Sequence, residues 1–280
     1  MVIRDMKPED IAAGVQLCRA SGWNQVESDW SLFLALSPAG CRVAEKNDEV
    51  VGTVATIRYQ NRFSWLAMVL VDPRERRNGI GTRLLCEGLS LLGTETCVRL
   101  DATAAGRRIY RQHGFVDEYP ITRFTTSAGY TDIDPPVESV RRMREQDLPE
   151  VFDQDRLIFG ADRELVLRSL FERSPECAWV AGGSNIQGYC FGRPGFLYQQ
   201  LGPIVARDKS VARDLVSQCL IQRGGPRFVI DAPLHCATWI SWLRSSGFAE
   251  ERSFTRMRRG ENRYPGKTEL VFGVVGPEFG

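Results

Sequence analysis

Two glycines and two arginines in one short run carry the most specific chemistry of this sequence. Leu70-Val71-Asp72-Pro73-Arg74-Glu75-Arg76-Arg77-Asn78-Gly79-Ile80-Gly81-Thr82 reads as a strand, a basic loop and the start of a helix. Gly79 and Gly81 lack Cβ atoms, so the backbone there can turn tightly and approach a ligand closely. Successive N–H groups at the positive end of the following helix make a cradle for an anion, and a pyrophosphate suits it. Arg76 and Arg77 add charge that an ordinary surface loop does not need. A Walker loop would end in Gly-Lys-Ser or Gly-Lys-Thr, which this loop lacks. A dinucleotide fingerprint would need three glycines after the first strand of a βαβ unit, whereas this loop follows the third β-run. The plain alternative is a basic turn leading into an amphipathic helix.

The loop needs a frame, and the hydrophobic pattern supplies one. Lys7 to Ser21 has a helical period at Ile11, Val15 and Leu17-Cys18, and Ser28 to Leu36 is a second short helix stopped by Pro38. Strands follow at Cys41–Glu45, Val50–Tyr59 and Phe63–Val71. Gly81–Leu92 is a helix with Leu84, Leu85, Leu89 and Leu92 on one face. Val98–Leu100 is a buried strand, Arg107–His113 a short helix, and Phe115–Thr126 another strand. The order is ααβββαβαβ. Residues 127–138 are rich in Gly, Pro and Asp and read as a linker. The same plan then returns between Val140 and Met257, and each copy has a helix running into Gly-Phe, at Gly114-Phe115 and Gly247-Phe248. The reading is therefore α/β with a mixed sheet and two tandem domains: 1–128, a linker at 129–138, and 139–280.

Composition narrows the function. With 280 residues, 36 Lys plus Arg against 35 Asp plus Glu, and a net charge of +1, the chain has no bulk charge to coat nucleic acid or anionic lipid. Its 43% hydrophobic content is that of a globular protein with a real core. No apolar run reaches the ~18–20 residues a membrane span needs. Eight scattered cysteines form no CxxC pair and read as reduced thiols of a cytosolic protein. Two histidines, His113 and His235, are too few for a histidine-rich metal centre, so no metal is expected.

In combination, Met68-Val69-Leu70-Val71-Asp72-Pro73, the loop Arg76–Gly81 and the block Ile109-Tyr110-Arg111-Gln112-His113-Gly114-Phe115 resemble the GNAT N-acyltransferases. The ααβββαβαβ order resembles that superfamily in both halves. Gly22-Trp23-Asn24, Leu100-Asp101-Ala102-Thr103 and the ending Gly276-Pro277-Glu278-Phe279-Gly280 resemble a bacterial tandem-GNAT group, and the C-terminal half is similar to the YitH/HolE-type acetyltransferase domain.

The resemblance implies an acetyl-CoA-dependent N-acetyltransferase acting on a primary amine of a small molecule or peptide by direct attack on the thioester. Met68, Val69, Leu70 and Val71 match the strand that pairs with the pantetheine arm. Arg76, Arg77, Asn78, Gly79, Ile80, Gly81 and Thr82 match the pyrophosphate loop. Tyr110 matches the tyrosine that protonates the leaving thiolate, a task that suits a phenol of pKa ~10 facing a thiol of ~8.5; packing on a short helix is the alternative. Thr103 stands where many relatives have Asn. For the general base, Asp101 competes with a capping role, and Glu27 and Asp29 are further choices. The acceptor is expected past the turn between the first two helices, with Trp23, Asn24, Glu27 and Asp29 as its contacts and Trp30 in the core. The expected partners are a small-molecule amine and neither nucleic acid nor membrane, with a homodimer left open. A CoA-responsive sensor without turnover is the competing function.

The second half has lost this chemistry. Leu201–Ser210 stands at the loop position without Gly-x-Gly, and Leu243 replaces the tyrosine. Its expected role is to complete an acceptor pocket, form an interface or sense a ligand. Asp155-Arg156 and Asp162-Arg163, flanking Phe159-Gly160, read as ion pairs fixing a turn. Arg252, Arg256, Arg258 and Arg259 read as a solvated strand face.

Overall fold

The computed structural model describes residues 1–126, 133, 135, 137–183, 185–223 and 227–280, so most of the expected linker lies outside the described residues. The first half runs β1 (Val2–Asp5), α1 (Ile11–Ala20), α2 (Glu27–Leu36), β2 (Cys41–Lys46), β3 (Glu49–Tyr59), β4 (Phe63–Val71), α3 (Ile80–Leu92), β5 (Cys97–Thr103), α4 (Ala104–Gln112) and β6 (Val116–Thr126). The second runs β7 (Val140–Arg142), α5 (Leu148–Phe159), α6 (Glu164–Arg173), β8 (Trp179–Ala181), β9 (Gly188–Arg193), β10 (Gln199–Ala206), α7 (Lys209–Arg223), β11 (Phe228–Pro233), α8 (Ala237–Ser245) and β12 (Phe248–Gly260), then β13 (Val271–Gly273). The strands β1 and β13 were not expected. Both are too short for a period-2 pattern to show.

All the described strands join one sheet in the order β1-β2-β3-β4-β5-β12-β6-β11-β10-β9-β8-β7, with β13 beside β10. The order is symmetric about its centre, and the centre is an exchange. The strand that follows α8 in the second half, β12, pairs antiparallel with β5 of the first half and with β6. The last strand of the first half, β6, pairs in turn with β11 of the second. Each half closes its sheet with the other's strand.

Period-2 alternation sends side chains to two layers. Val43, Ala55 and Ile57 join Leu17, Trp30 and Phe33 of the first two helices in a core shared with Leu148, Val151 and Leu167 of α5 and α6. Their neighbours Ala44 and Val54 pack with Leu84, Leu85 and Leu92 of α3. Trp30 is fully buried, as expected. The duplication extends to the entry of each half. Arg4 and Lys7 N–H hold Asp10, as Arg141 and Arg144 N–H hold Asp147.

Candidate active site

The site begins where two parallel strands part. β4 pairs with β5 only at Ser64↔Val98 and Trp65↔Arg99, so the later residues of β4 have no partner on that side. On its other side, Thr53 pairs with Leu70 and Ala55 with Ala67, so Met68 and Val69 together oppose Val54. This is a β-bulge, and it turns the strand where the cleft opens. Met68 has φ +54°, a left-handed conformation rare for a side chain of its size, and Thr53 Oγ1 donates to its carbonyl at 2.8 Å. Strain at a cleft rim, held by a buried hydrogen bond, is a mark of function.

The basic loop meets the cleft at its outer end. Gly79 has φ +77° with nothing within 4 Å of a Cβ built there, so the turn requires glycine while the space above it is open. Gly81 has no such φ, and its Cβ would meet only Val71 Cγ2 at 3.5 Å. Glycine at 81 therefore answers to the space in front of α3 rather than to the fold. Val69, Leu70, Val71, Arg76, Arg77, Gly79, Ile80, Gly81, Thr82, Thr103 and Tyr110 all line one cleft of about 610 Å³. Asn78 is not among them, and its amide donates to Glu75. Ile80 buries its side chain in the α3 core, leaving its backbone to the cleft. Thr103 caps α4 by accepting from Gly106 N–H at 3.2 Å.

Tyr110 stands between this cleft and an inner chamber of about 40 Å³, and lines both. Its ring meets Phe115 edge-on at 5.8 Å. Burial pushes its phenol pKa up to about 12, which keeps it protonated and able to donate. Trp23, Asp101, Thr103, Val69 and Arg252 share both walls, while Met68, Gln25, Arg123, Phe254, Pro277 and Glu278 belong to the chamber alone.

Several expected contacts are placed elsewhere. Asn24 is buried and clamps the β9–β10 hairpin: its Oδ1 accepts from Leu197 and Tyr198 N–H at 2.8 and 3.1 Å, and its Nδ2 donates to the Tyr198 carbonyl at 3.1 Å. Asp29 is fully buried between Arg173 at 2.9 Å and Arg193 at 2.6 Å. Glu27 is exposed at the start of α2, in a shallow dent beside Pro8 and Glu9. Asp101 does reach the chamber, but Arg256 grips both its oxygens at 2.9 and 2.8 Å. Burial raises the Asp101 pKa and Arg256 opposes that, so the carboxylate is already committed. Of the β12 arginines expected on a solvated face, Arg259 is exposed and Arg258 half-buried, but Arg256 is buried over the Trp65 ring and Arg252 lines the cleft. The Asp-Arg pairs around Phe159-Gly160 are ion pairs, Asp155 with Arg163 and Arg156 with Asp162.

Sequence reading assigned no role to Gln25 and Glu278. Glu278 arrives on a tail threaded through the first half: Trp65 Nε1 donates to the Pro277 carbonyl at 3.1 Å, Tyr59 Oη to the Phe279 carbonyl at 2.8 Å, and Phe279 stacks on Phe33 at 4.7 Å. The unusual run of tail glycines and aromatics was the available signal.

The second half has the same bulge and the same fork. Gly202 and Pro203 together oppose Phe191, and β10 pairs with β11 only from Gln199 to Leu201. There β13 fills the gap, pairing with β10 at Ile204 and Val205. Leu243, at the tyrosine position, is fully buried in the core. Among the described residues, no group of three or more His, Cys, Asp or Glu is placed to hold a metal, and no helix is long and apolar enough to cross a membrane.

Comparison with known proteins agrees with this geometry. Acetyltransferase (GNAT) domain families match residues 37–117 and 151–273. The chain is 26% identical to Holothin acyltransferase of Pseudoalteromonas sp. (strain SANK 73390) over 93% of this chain and 88% of that one. It is 22% identical to the uncharacterized N-acetyltransferase YitH of Bacillus subtilis (strain 168), over 87% and 86%. A crystal structure of a putative acetyltransferase from Pyrococcus horikoshii superposes with a TM-score of 0.83 at 25% identity, covering 100% of this chain and 95% of that one. With a forked strand pair, a glycine loop and a tyrosine in one half and their plugged counterpart in the other, this chain belongs to the GNAT acetyltransferases as a tandem of two such domains, and it is an acyltransferase.

Proposed function

We propose that this enzyme transfers an acetyl group from acetyl-CoA to a primary amine of a small molecule, by direct attack on the thioester. The observation that carries the reading is one continuous path: the open loop at Gly79 and Gly81, the free edge of β4, Tyr110, and the chamber behind it. The residues fit the donor. Loop N–H groups with Arg76 and Arg77 would take the pyrophosphate, and the side of β4 from Val69 to Val71 that no strand of the sheet covers would take the pantetheine amides as an added strand. Bound there, acetyl-CoA supplies an activated acyl group. Tyr110 donates its proton to the departing sulfur, and its raised pKa keeps that proton available. Trp23 and the Arg252 side chain frame the acceptor's entrance. None of the eight cysteines forms a disulfide, which supports a cytosolic setting.

Tyr110→Phe keeps the ring and removes the proton. It should lower kcat by ~10²–10⁴ with CoA affinity little changed. Thiol release over an amine panel gives kcat, and calorimetry gives CoA affinity. An unchanged kcat with chemistry rate-limiting would make Tyr110 a packing residue. Absence of CoA binding would overturn the reading as a whole.

A further inference from the structure

Two polar side chains meet at the chamber, Gln25 beside the Glu278 carboxylate, and each still leaves an acceptor atom unpaired. Gln25 Oε1 and Glu278 Oε2 are buried and, among the described residues, lack a hydrogen-bond partner. Gln25 is 4% exposed and Glu278 2%, and both line the chamber that Tyr110 lines. Burying two acceptors without donors is costly, so a donor-bearing ligand is their natural complement. We infer that Gln25 and Glu278 receive the amino group of the acceptor, that Glu278 takes the proton this group releases, and that the acceptor is a primary amine on a compact apolar body without a carboxylate. This rests on the acetyl-transfer reading above.

The surroundings single out Glu278 for the proton. Its Oε1 is held by Arg193, which also holds Asp29, and Asp29 is held in turn by Arg173. The carboxylate is thus fixed by groups from both halves, with one oxygen spare. Burial, and after it the Asp29 charge, push its pKa up, while Arg193 and a hydrogen bond from Gln25 pull it down. Asp101, the other carboxylate on this wall, has neither oxygen spare.

The same wall argues for the body of the acceptor. Its cations are already matched: Arg123 lies 2.8 Å from Asp231, and Arg252 lies 3.1 Å from Glu251. A carboxylate on the acceptor would enter without an unpaired cation to meet it. Leu66, Leu100, Phe254 and Pro277 offer apolar surface instead. In the reaction the amine nitrogen bonds to the acyl carbon as the carbon–sulfur bond breaks. The nitrogen's proton passes to Glu278 and the sulfur takes the Tyr110 proton; solvent restores both groups.

The test uses the full chain, acetyl-CoA, benzylamine and 4-(aminomethyl)benzoate. Benzylamine should bind the CoA-loaded protein by calorimetry and be acetylated, with the benzoate at least about tenfold weaker. Gln25→Leu breaks no ion pair and should raise the benzylamine Kd and KM about tenfold or more, with kcat within about threefold. Glu278→Gln should lower kcat by ~10²–10⁴. CoA affinity should stay within about twofold of wild type in both. Should Glu278→Gln fail to fold, Gln25→Leu and the two amines decide the matter. The proposal is overturned by wild-type benzylamine binding in Gln25→Leu, by wild-type turnover in a folded Glu278→Gln, by preference for the benzoate, or by no benzylamine binding to a chain that binds CoA. Failure to bind CoA at all is a different result, and it defeats the donor assignment instead.

Discussion

Tyr110 owes its position to a glycine one turn back. A Cβ at Gly106 would lie 2.8 Å from Tyr110 Cε2, so the ring can settle over the first turn of α4 only because that atom is missing. Neighbouring residues in the acceptor turn have different jobs, and substitution should separate them. Trp23→Ala should raise the acceptor KM about several-fold at little cost in stability, because a half-buried side chain at a cavity mouth leaves no sealed void. Asn24→Ala should do the reverse. It strips partners from two backbone N–H groups of the hairpin, a loss of about 2–4 kcal/mol readable by urea unfolding. If Asn24→Ala keeps full stability, the clamp is not holding the hairpin. Sequence could nominate Tyr110, whose neighbours lie within a few positions of it. It could not separate Trp23 from Asn24, Asp29 or Glu27, because what distinguishes them is contributed by Leu197, Tyr198, Arg173 and Arg193, far along the chain.

At the scale of elements, the glycine loop and the fork are testable apart from the chemistry. A Cβ at Gly81 meets only Val71, so Gly81→Val should leave the fold intact and remove CoA binding. A folded variant that still binds CoA normally would show that the phosphates lie elsewhere. The paired turns at the start of each half predict an acid response. Arg4 holds the Asp10 carboxyl below its ordinary pKa, and Arg141 does the same for Asp147. A depressed carboxylate stabilises the fold above its unfolded pKa, and that stability is lost as pH falls through the lower folded value. Asp10→Asn with Asp147→Asn should therefore flatten the fall of Tm between pH ~5 and ~2. Equal slopes would mean that these pairs do not contribute. The long elements were readable from their periodicity, since nearly every helix and strand lies within a few residues of where the pattern puts it. The partners of strands were not. Nothing local to Val116–Thr126 says that its neighbours are β12 and β11 rather than β5.

For the whole molecule, the exchange of β6 and β12 makes two domains in sequence into one body in space. A fragment ending near residue 128 would lack the strand that separates β5 from β6 and would leave the β5 backbone edge unpaired. Either half expressed alone should be insoluble or largely unfolded, while the two produced together should recover a folded complex. Circular dichroism and size-exclusion chromatography distinguish these outcomes. A monomeric, cooperatively melting N-terminal half would show that the exchanged strand is dispensable. The tail that brings Glu278 to the chamber follows the same principle, for Phe279 packs on Phe33 and Tyr59 holds its carbonyl, both in the first half.

The exchange also sets a schedule for the protein at the ribosome. β5 is finished at Thr103, but its neighbour β12 begins only at Phe248, so the first half emerges long before its sheet can close. At roughly 5–20 residues per second, the wait is on the order of ten seconds. During that interval the edge of β5 is bare, and β6 has yet to receive β11 as well. The glycine loop, the fork and Tyr110 are all synthesised well before Pro277 and Glu278, which complete the chamber wall. On the proposed reading, activity depends on residues made long after the donor cleft, and a chain stopped between Gly260 and Glu278 should keep that cleft yet acylate no acceptor.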